Sequence, residues 1–158
     1  MPAILSLPRG SLVILRARDH ARRAALAAGI LSAVRARGLI LLIADDPALA
    51  ARIGAHGIHL PDAKAKQAMH WRVRRPDWII TIAAHALRNL SASAADAALL
   101  SPVFATASHP HAPALGAARA RLMARQAALP VLALGGIDAA KAGLLDGFAG
   151  LAAISALL

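Results

Sequence analysis

The stretch "LILLIADDPALAARIGAHGIHL", from Leu39 to Leu60, holds the pattern from which the fold of this 158-residue chain can be predicted. It opens with a short apolar run, Leu39 to Ala44, and ends in a second one, Gly57 to Leu60. Apolar runs of this length are typical of buried strands, and the alanine-rich segment between them favours a helix. The stretch therefore predicts a strand, a helix and a second strand in one βαβ unit.

The same alternation continues along the chain. The segment from Ala21 has apolar positions at helical spacing and ends at Gly38, a typical C-terminal stop. The strand candidates are apolar on both faces, as expected for strands buried in a parallel sheet. These candidates lie near residues 11–16, 39–44, 57–60, 78–83, 97–100, 130–134 and 150–155.

Two architectures accommodate such a parallel sheet, a doubly wound open sheet and a (β/α)8 barrel. A dinucleotide-type doubly wound sheet has a glycine-rich turn after its first strand, and none follows the first candidate here. Seven candidates also exceed the five or six strands of that fold. The sequence therefore predicts an α/β fold of the TIM (β/α)8 type, as a single domain over residues 1–158.

The composition narrows the class of protein. The chain is 58% hydrophobic, but its apolar runs are shorter than the roughly 18 to 20 residues of a membrane span. It contains no cysteine, which excludes disulfides, thiolate metal sites and a cysteine nucleophile. The start lacks the pattern of a signal peptide. We therefore expect a cytoplasmic protein with no membrane partner.

The charge is strongly basic, with 18 Lys and Arg against eight acids, all of them Asp, and a net charge of +10. Nucleic acids and phosphorylated small molecules are the partners that such a charge favours. Nucleic-acid binders interleave basic and aromatic residues, and only "WRVRRPDW", Trp71 to Trp78, does so. We interpret Arg72, Arg74 and Arg75 of that segment as a solvated connection before a strand, and predict phosphorylated small molecules rather than nucleic acid as partners.

The loops after the last two strands are where a barrel of this type often binds phosphate. The penultimate strand runs into "GGID", Gly135 to Asp138, and the last into "ISAL", Ile154 to Leu157. Consecutive glycines let the backbone approach an anion, and the amides there and after Ser155 can donate to phosphate oxygens. A tight strand-to-helix turn is the alternative explanation for the glycines.

Five motifs, in order and spacing, resemble the thiamine phosphate synthase/TenI superfamily: "LLIADDPALAARIGAHGIHL", "AAHALRNL", "SPVFATASHPHAPALG", "PVLALGGID" and "AAISAL". The resemblance implies a TIM barrel that acts on thiamine precursors. The synthases join a thiazole phosphate to a pyrimidine pyrophosphate with Mg²⁺. The TenI-like branch tautomerises a thiazole carboxylate phosphate with a histidine acid/base and lacks the full metal site.

The residues that this resemblance implies for phosphate are largely present. The glycines and the serine of the thiazole-phosphate side are retained, and the hydroxyls of the proline-rich loop match two that can donate to phosphate oxygens. One arginine of the family is kept, and another stands in for a lysine and keeps its charge. The thiazole-phosphate residues are Gly135, Gly136 and Ser155, and the loop hydroxyls belong to Thr106 and Ser108. The kept arginine is Arg16, and Arg18 stands in for the lysine.

The metal site that the resemblance implies is weakened. Asp45 matches the first metal-binding aspartate, but Ala44 replaces the asparagine before it. Lys64 stands where the second metal carboxylate belongs, and Asp62 lies two residues early. Because displacement of pyrophosphate needs Mg²⁺ held by carboxylates, these changes argue against the full synthase reaction.

Two histidines are the catalytic candidates. His85 matches the histidine that follows the fourth strand candidate, and a histidine suits proton transfer because its unperturbed pKa is about 6.5. His109 replaces a family lysine and can add charge beside the loop hydroxyls. His59 fits a buried, hydrogen-bonded strand residue better than a catalyst. His109 and His111 lack a third ligand nearby in sequence, which argues against a metal pair.

Together these observations predict a thiamine biosynthesis protein that binds thiazole phosphate. Three activities stay open: synthase-like transfer with a weakened Mg²⁺ site, TenI-like tautomerisation, and non-catalytic binding of a phosphate ligand. The segment "SLVILRARD" resembles the family's second strand, so we expect the barrel to lack its first strand and most of its first helix. A homo-oligomer is compatible with the sequence.

Overall fold

Seven strands and five α-helices form the part of the chain that the computed structural model describes, namely residues 4, 6–17, 19–91, 94–106 and 113–153. The strands are β1 (Leu12–Leu15), β2 (Ile40–Ala44), β3 (Gly57–Leu60), β4 (Ile79–Ala84), β5 (Ala97–Leu100), β6 (Val131–Leu134) and β7 (Gly150–Ala152). The helices are α1 (His20–Ala36), α2 (Pro47–Ile53), α3 (Ala68–Arg74), α4 (Ala117–Gln126) and α5 (Ala139–Ala142). Two 3-10 helices, Asp62–Gln67 and Leu87–Asn89, follow β3 and β4.

All seven strands belong to one parallel sheet, in the order β1 to β7. The predicted strands agree with the observed ones to within a residue at most ends; residues 154–155 of the last prediction lie outside the described part. A doubly wound sheet reverses its strand order at a switch point, and this sheet has no reversal. The predicted α/β architecture with a TIM-like parallel sheet is confirmed, whereas the absence of a first strand stays a prediction.

The core forms where apolar runs and helical stripes meet. Leu41, Leu42 and Ile43 of β2 are fully buried, as both faces of a central parallel strand should be. Helix α1 buries Ala27, Ile30 and Val34 on one face. That helix begins at the N-cap Asp19, whose side chain accepts from the backbone N–H of Arg22 at 2.7 Å, and Gly38 just beyond it has φ +62°. The left-handed glycine ends the helix as expected.

The segment from Trp71 to Trp78 packs its two tryptophans against the core and leaves Val73 and Arg74 exposed. Its first half lies in α3, and Trp78 is 3% exposed and stacks on Trp71 at 5.9 Å between ring centroids. The Arg72 guanidinium donates to the Asp96 carboxylate at 2.6 Å and to the carbonyl of Trp78 at 3.0 Å. The prediction of a solvated connection therefore holds for Arg74, which is exposed, whereas Arg72 and Arg75 are partly buried by contacts that lie far from them in sequence or on the ring of Trp78.

Within the described residues, no helix combines the length and the apolar character that crossing a bilayer requires.

Candidate functional site

A cavity of about 860 Å³ opens at the carboxyl ends of the strands. Its lining includes a residue at or just beyond the end of every strand, so the two edges of the sheet curl around the same space. Loops at this end are where barrel enzymes place their active sites. From β1 to β7 these residues are Arg16, Asp45, Asp62, His85, Pro102, Gly136 and Ala153.

His85 is held at the cavity in a defined tautomer. Its Nδ1 lies 2.7 Å from the carbonyl oxygen of Ser101, the residue that follows β5. A carbonyl oxygen only accepts, so Nδ1 donates the hydrogen bond and, in the neutral ring, Nε2 is the unprotonated nitrogen. The side chain is exposed to solvent. This arrangement leaves Nε2 able to accept a proton, which is the property a general base needs.

Asp62 positions the backbone of the same loop. Its Oδ1 accepts from the His85 N–H at 3.0 Å and from the Asn89 side-chain amide at 2.8 Å, while Arg88 lies 3.9 Å from Oδ2. This carboxylate therefore ties the loop after β3 to the loop after β4. The sequence suggested Asp62 only as a displaced metal ligand. This structural role could not be predicted because the partners of Asp62 lie more than 20 residues away in sequence.

Asp45, the candidate metal ligand, is paired with Lys64. The Lys64 Nζ lies 2.7 Å from Asp45 Oδ1 and 2.9 Å from Oδ2, so it contacts both oxygens. Asp45 has φ +52°, in the left-handed region that aspartate tolerates better than most residues. This conformation turns the chain from β2 toward α2, where Asp46 caps the helix by accepting from the Leu49 N–H at 3.0 Å.

The carboxylates around the cavity do not fit a Mg²⁺ ion. Mg²⁺ binds through oxygen ligands that must be able to face the ion. Asp45 has both oxygens on an ammonium, Asp62 accepts from two N–H groups, and Asp46 caps α2 and lies 3.6 Å from Arg23. Among the described residues, no group of three or more His, Cys, Asp or Glu side chains could hold a metal.

Guanidinium groups give the cavity a positive wall. Arg16 follows β1 and is exposed, and Arg119 lies in the first turn of α4; both line the cavity. Arg23 lines it too but is only 8% exposed, and it donates to the carbonyls of Ala17 and Ala44. Arg23 and Arg119 were not predicted from the sequence. Each lies in the first turns of the helix that follows a strand, and this end of the helix is close to the carboxyl ends of the strands.

His59 is a buried residue of β3 rather than a proton carrier. It is 8% exposed, and its Nδ1 lies 2.9 Å from the hydroxyl of Thr81 on β4. Burial, and secondarily the positive charge of Arg16, lowers the pKa of His59 to about 4. The ring is therefore neutral near pH 7, in agreement with its interpretation as a buried strand histidine.

The two glycines after β6 are required by packing. Gly135 and Gly136 line the cavity with φ of +103° and +62°. A Cβ on Gly136 would lie 2.3 Å from the Ala105 carbonyl oxygen, and one on Gly135 would lie 3.0 Å from the Cα of Pro102. The turn is thus pressed against the loop after β5, which is the alternative that the sequence left open. Anion binding by these amides stays a prediction.

The other predicted site residues divide into two groups. Thr106 lines the cavity wall formed by the loop after β5. Four residues lie outside the part of the chain that the structure describes, so their predicted roles in phosphate binding and catalysis stay predictions: Arg18, Ser108, His109 and Ser155.

Comparison with known proteins relates this geometry to one family. The family model described as thiamine monophosphate synthase matches residues 5–157. A thiamine-phosphate synthase of Azorhizobium caulinodans is 32% identical over 94% of this chain and 74% of its own length. A thiamine-phosphate synthase of Thioalkalivibrio sulfidiphilus is 34% identical over 85% of this chain and 67% of its own length.

A solved structure supports the fold independently. The thiamine phosphate pyrophosphorylase from Pyrococcus furiosus superposes with a TM-score of 0.76 over 97% of this chain and 75% of its own, at 18% sequence identity. At that identity the likeness concerns the fold alone. The chain spans 66%, 74% and 67% of the length of three of the thiamine-phosphate synthases that it matches, and 61% of a fourth.

Proposed function

We propose that this chain, which belongs to the thiamine monophosphate synthase family, binds a thiazole phosphate in its cavity and moves a proton on that ligand through His85. The observation that supports this most directly is the hydrogen bond from His85 Nδ1 to the Ser101 carbonyl at 2.7 Å. It fixes the neutral tautomer that has a basic Nε2. The reaction class is a tautomerisation: Nε2 takes a proton from one ligand atom and returns it, or its equivalent, to another.

The cavity suits a small phosphorylated ring. Its volume of about 860 Å³ lies in the usual range for small-molecule sites, roughly 300 to 1,000 Å³. Arg16 and Arg119 supply guanidinium groups that can pair with phosphate oxygens, and the Thr106 hydroxyl lies on the same lining. Arg18, Ser108 and Ser155 are assigned to phosphate by the family resemblance alone. Together these residues would hold the phosphate while His85 acts on the ring.

Synthase-type coupling to a pyrimidine pyrophosphate is the second candidate. The relatives at 32 to 34% identity bear the name thiamine-phosphate synthase, which supports it. That reaction must neutralise the charge of a departing pyrophosphate. The aspartates of this cavity do not fit the Mg²⁺ ion that would do so, and therefore we favour proton transfer.

The test compares His85→Ala with His70→Ala, which removes an exposed histidine of α3 that does not line the cavity. Turnover of a thiazole carboxylate phosphate is followed with and without EDTA. We expect His85→Ala to lower kcat by about 10² to 10⁴ while His70→Ala and EDTA have little effect. A His85→Ala protein with full kcat would refute the proposal.

Ligand binding separates catalysis from simple recognition. If thiazole phosphate raises the Tm of the wild type but no turnover occurs, the chain is a binding protein. If thiamine phosphate forms only with Mg²⁺ present, the chain is a synthase. Either result would replace the tautomerisation.

A further inference from the structure

We propose that the ammonium of Lys64 is the resident cation of this site and occupies the place beside Asp45 that a divalent metal would need. The Lys64 Nζ contacts both oxygens of Asp45, at 2.7 and 2.9 Å. A metal that used Asp45 as a ligand would have to displace this ammonium. The site is therefore built to bind its anionic ligand without a metal.

A metal site and the observed ion pair have the same formal net charge. Two carboxylates with one divalent cation sum to zero, and one carboxylate with one ammonium also sums to zero. The family resemblance implies a metal-binding aspartate at position 64, and the lysine found there would replace that ligand and its metal with one covalently attached cation. The net charge beside Asp45 is then the same, without dependence on the concentration of a free ion.

The ammonium can also contact a ligand. An ammonium has three N–H donors, and the two Asp45 oxygens accept two of them, which leaves the third for a phosphate oxygen. The side chains of Lys64 and Asp45 are 44% and 42% exposed, so solvent reaches the pair, and Asp45 itself lines the cavity. Exposed ion pairs contribute little to stability. The position of the pair at the strand ends therefore explains it better than a role in folding.

Both halves of the pair are held by their backbones. Lys64 lies in the 3-10 helix Asp62–Gln67, directly after β3, and Asp45 is fixed by its left-handed φ and by its N–H, which donates to the His59 carbonyl at 2.9 Å. The inference deepens the proposed function and rests on it only for the location of the phosphate. It does not depend on which reaction His85 performs.

The first experiment measures binding of Mn²⁺ alone, by electron paramagnetic resonance, to the wild type, Lys64→Asp and Lys66→Asp. An aspartate at 64 is shorter than lysine and puts a second carboxylate across from Asp45, as Mg²⁺ and Mn²⁺ sites require. We expect Lys64→Asp to bind Mn²⁺ about tenfold or more tightly than the wild type. Lys66→Asp makes the same charge change at an exposed position of the same 3-10 helix and should resemble the wild type.

The second experiment needs no new metal site and serves if Lys64→Asp does not fold. The Tm of the full chain is measured against inorganic pyrophosphate, in EDTA and in MgCl2. We expect pyrophosphate to raise the wild-type Tm in EDTA, with no requirement for MgCl2, and to bind Lys64→Met about tenfold more weakly in EDTA. Asp45→Asn, which tolerates the same backbone conformation, removes the carboxylate and should still bind pyrophosphate in EDTA.

The outcomes separate this inference from the proposed function. Saturable Mn²⁺ binding by the wild type that Asp45→Asn abolishes would overturn the inference, as would a pyrophosphate effect that requires Mg²⁺. If pyrophosphate binds without metal and its binding depends on Lys64, the inference stands. If His85→Ala is also fully active, the tautomerase is rejected while the inference is retained. Unchanged pyrophosphate binding in Lys64→Met would reject the inference whatever His85 does.

Discussion

His59 lies in β3 and His85 directly follows β4, and the two side chains have opposite environments. His59 is enclosed between β3 and β4 against Thr81, and burial lowers its pKa to about 4. His85 lies in the solvent-exposed loop after β4, and the Ser101 carbonyl orients its ring. A buried neutral histidine cannot take up a proton without loss of stability. This contrast favours His85 over His59 for the proposed proton transfer.

The burial of His59 predicts an acid-sensitive fold. Its pKa is lower in the folded chain than the 6.5 of the unfolded one, so the unfolded state binds the proton more tightly. Stability is complete above pH 6.5 and falls as the pH drops toward 4, by about 3 kcal/mol at most for this group. Urea unfolding of the wild type and His59→Gln at pH 7.5, 5.5 and 4.5 measures this.

The glutamine variant removes the titration, since an amide has no proton to gain in this range. We expect its free energy of unfolding to depend less on pH than that of the wild type. Equal pH slopes in the two proteins would contradict the assignment of this acid sensitivity to His59.

At the scale of elements, the turn from β6 to α5 and the loop after β5 form one packed unit. The Val103 N–H donates to the Leu134 carbonyl at 2.9 Å, and the Phe104 N–H to the Gly135 carbonyl at 3.0 Å. Asp138 caps α5, and the hydrogen bond from the Lys141 side chain lowers the pKa of that carboxyl. The described part of the loop after β5, which lines the cavity, is thus attached to β6.

Gly136→Ala tests this attachment. The new Cβ would lie 2.3 Å from the Ala105 carbonyl oxygen at a φ of +62°, so the two loops must separate. We expect a loss of about 2 kcal/mol or more in the free energy of unfolding, because strain at φ > 0 and a backbone clash add. Calorimetry or urea unfolding measures it.

Gly29→Ala is the matched control. Gly29 lies inside α1, and a Cβ there has nothing within 4 Å. Alanine favours a helix interior over glycine by roughly 0.5 to 1 kcal/mol, so this variant should gain stability. If Gly136→Ala behaved like Gly29→Ala, the close packing of the two loops would be wrong.

At the scale of the whole molecule, the sheet is best buried at its centre. All four residues of β3 are buried, whereas those of β1 are only half-buried and Leu151 of β7 is 48% exposed. In the described part of the chain, β1 pairs only with β2, and β7 only with β6. Arg16 after β1 and Ala153 after β7 both line the cavity, so part of its lining follows the least protected strands.

Amide hydrogen exchange should become faster from the buried centre of the sheet to its exposed edges. We expect amides of β3 and β4 to exchange at least about tenfold more slowly than those of β1 and β7, since amides at poorly buried edges open locally. Exchange measured by mass spectrometry or NMR at neutral pH compares the strands within one sample. Equal protection of β1 and β4 would mean that the edges are covered in solution.

Much of this fold follows from local sequence. The run Leu39 to Ala44 is a strand because its apolar side chains suit burial on both faces, and α1 ends near Gly38 because glycine tolerates the left-handed conformation. Such preferences depend on a few neighbouring residues. They predicted the seven strands and the parallel class of the sheet. They could not predict that Trp78 would be buried in the core or that Arg72 would donate to the Asp96 carboxylate and the Trp78 carbonyl.

The site itself was decided by tertiary structure. The sequence placed a lysine at 64 and an aspartate at 45, but only the pairing of β2 with β3 brings the Lys64 Nζ within 2.7 Å of the Asp45 carboxylate. In the same way, the Ser101 carbonyl selects the tautomer of His85, and the Ala105 carbonyl excludes a side chain at Gly136. Each contact joins residues 16 or more positions apart in sequence. Local propensity extends over a few residues, whereas these contacts depend on strand register and on the curl of the sheet.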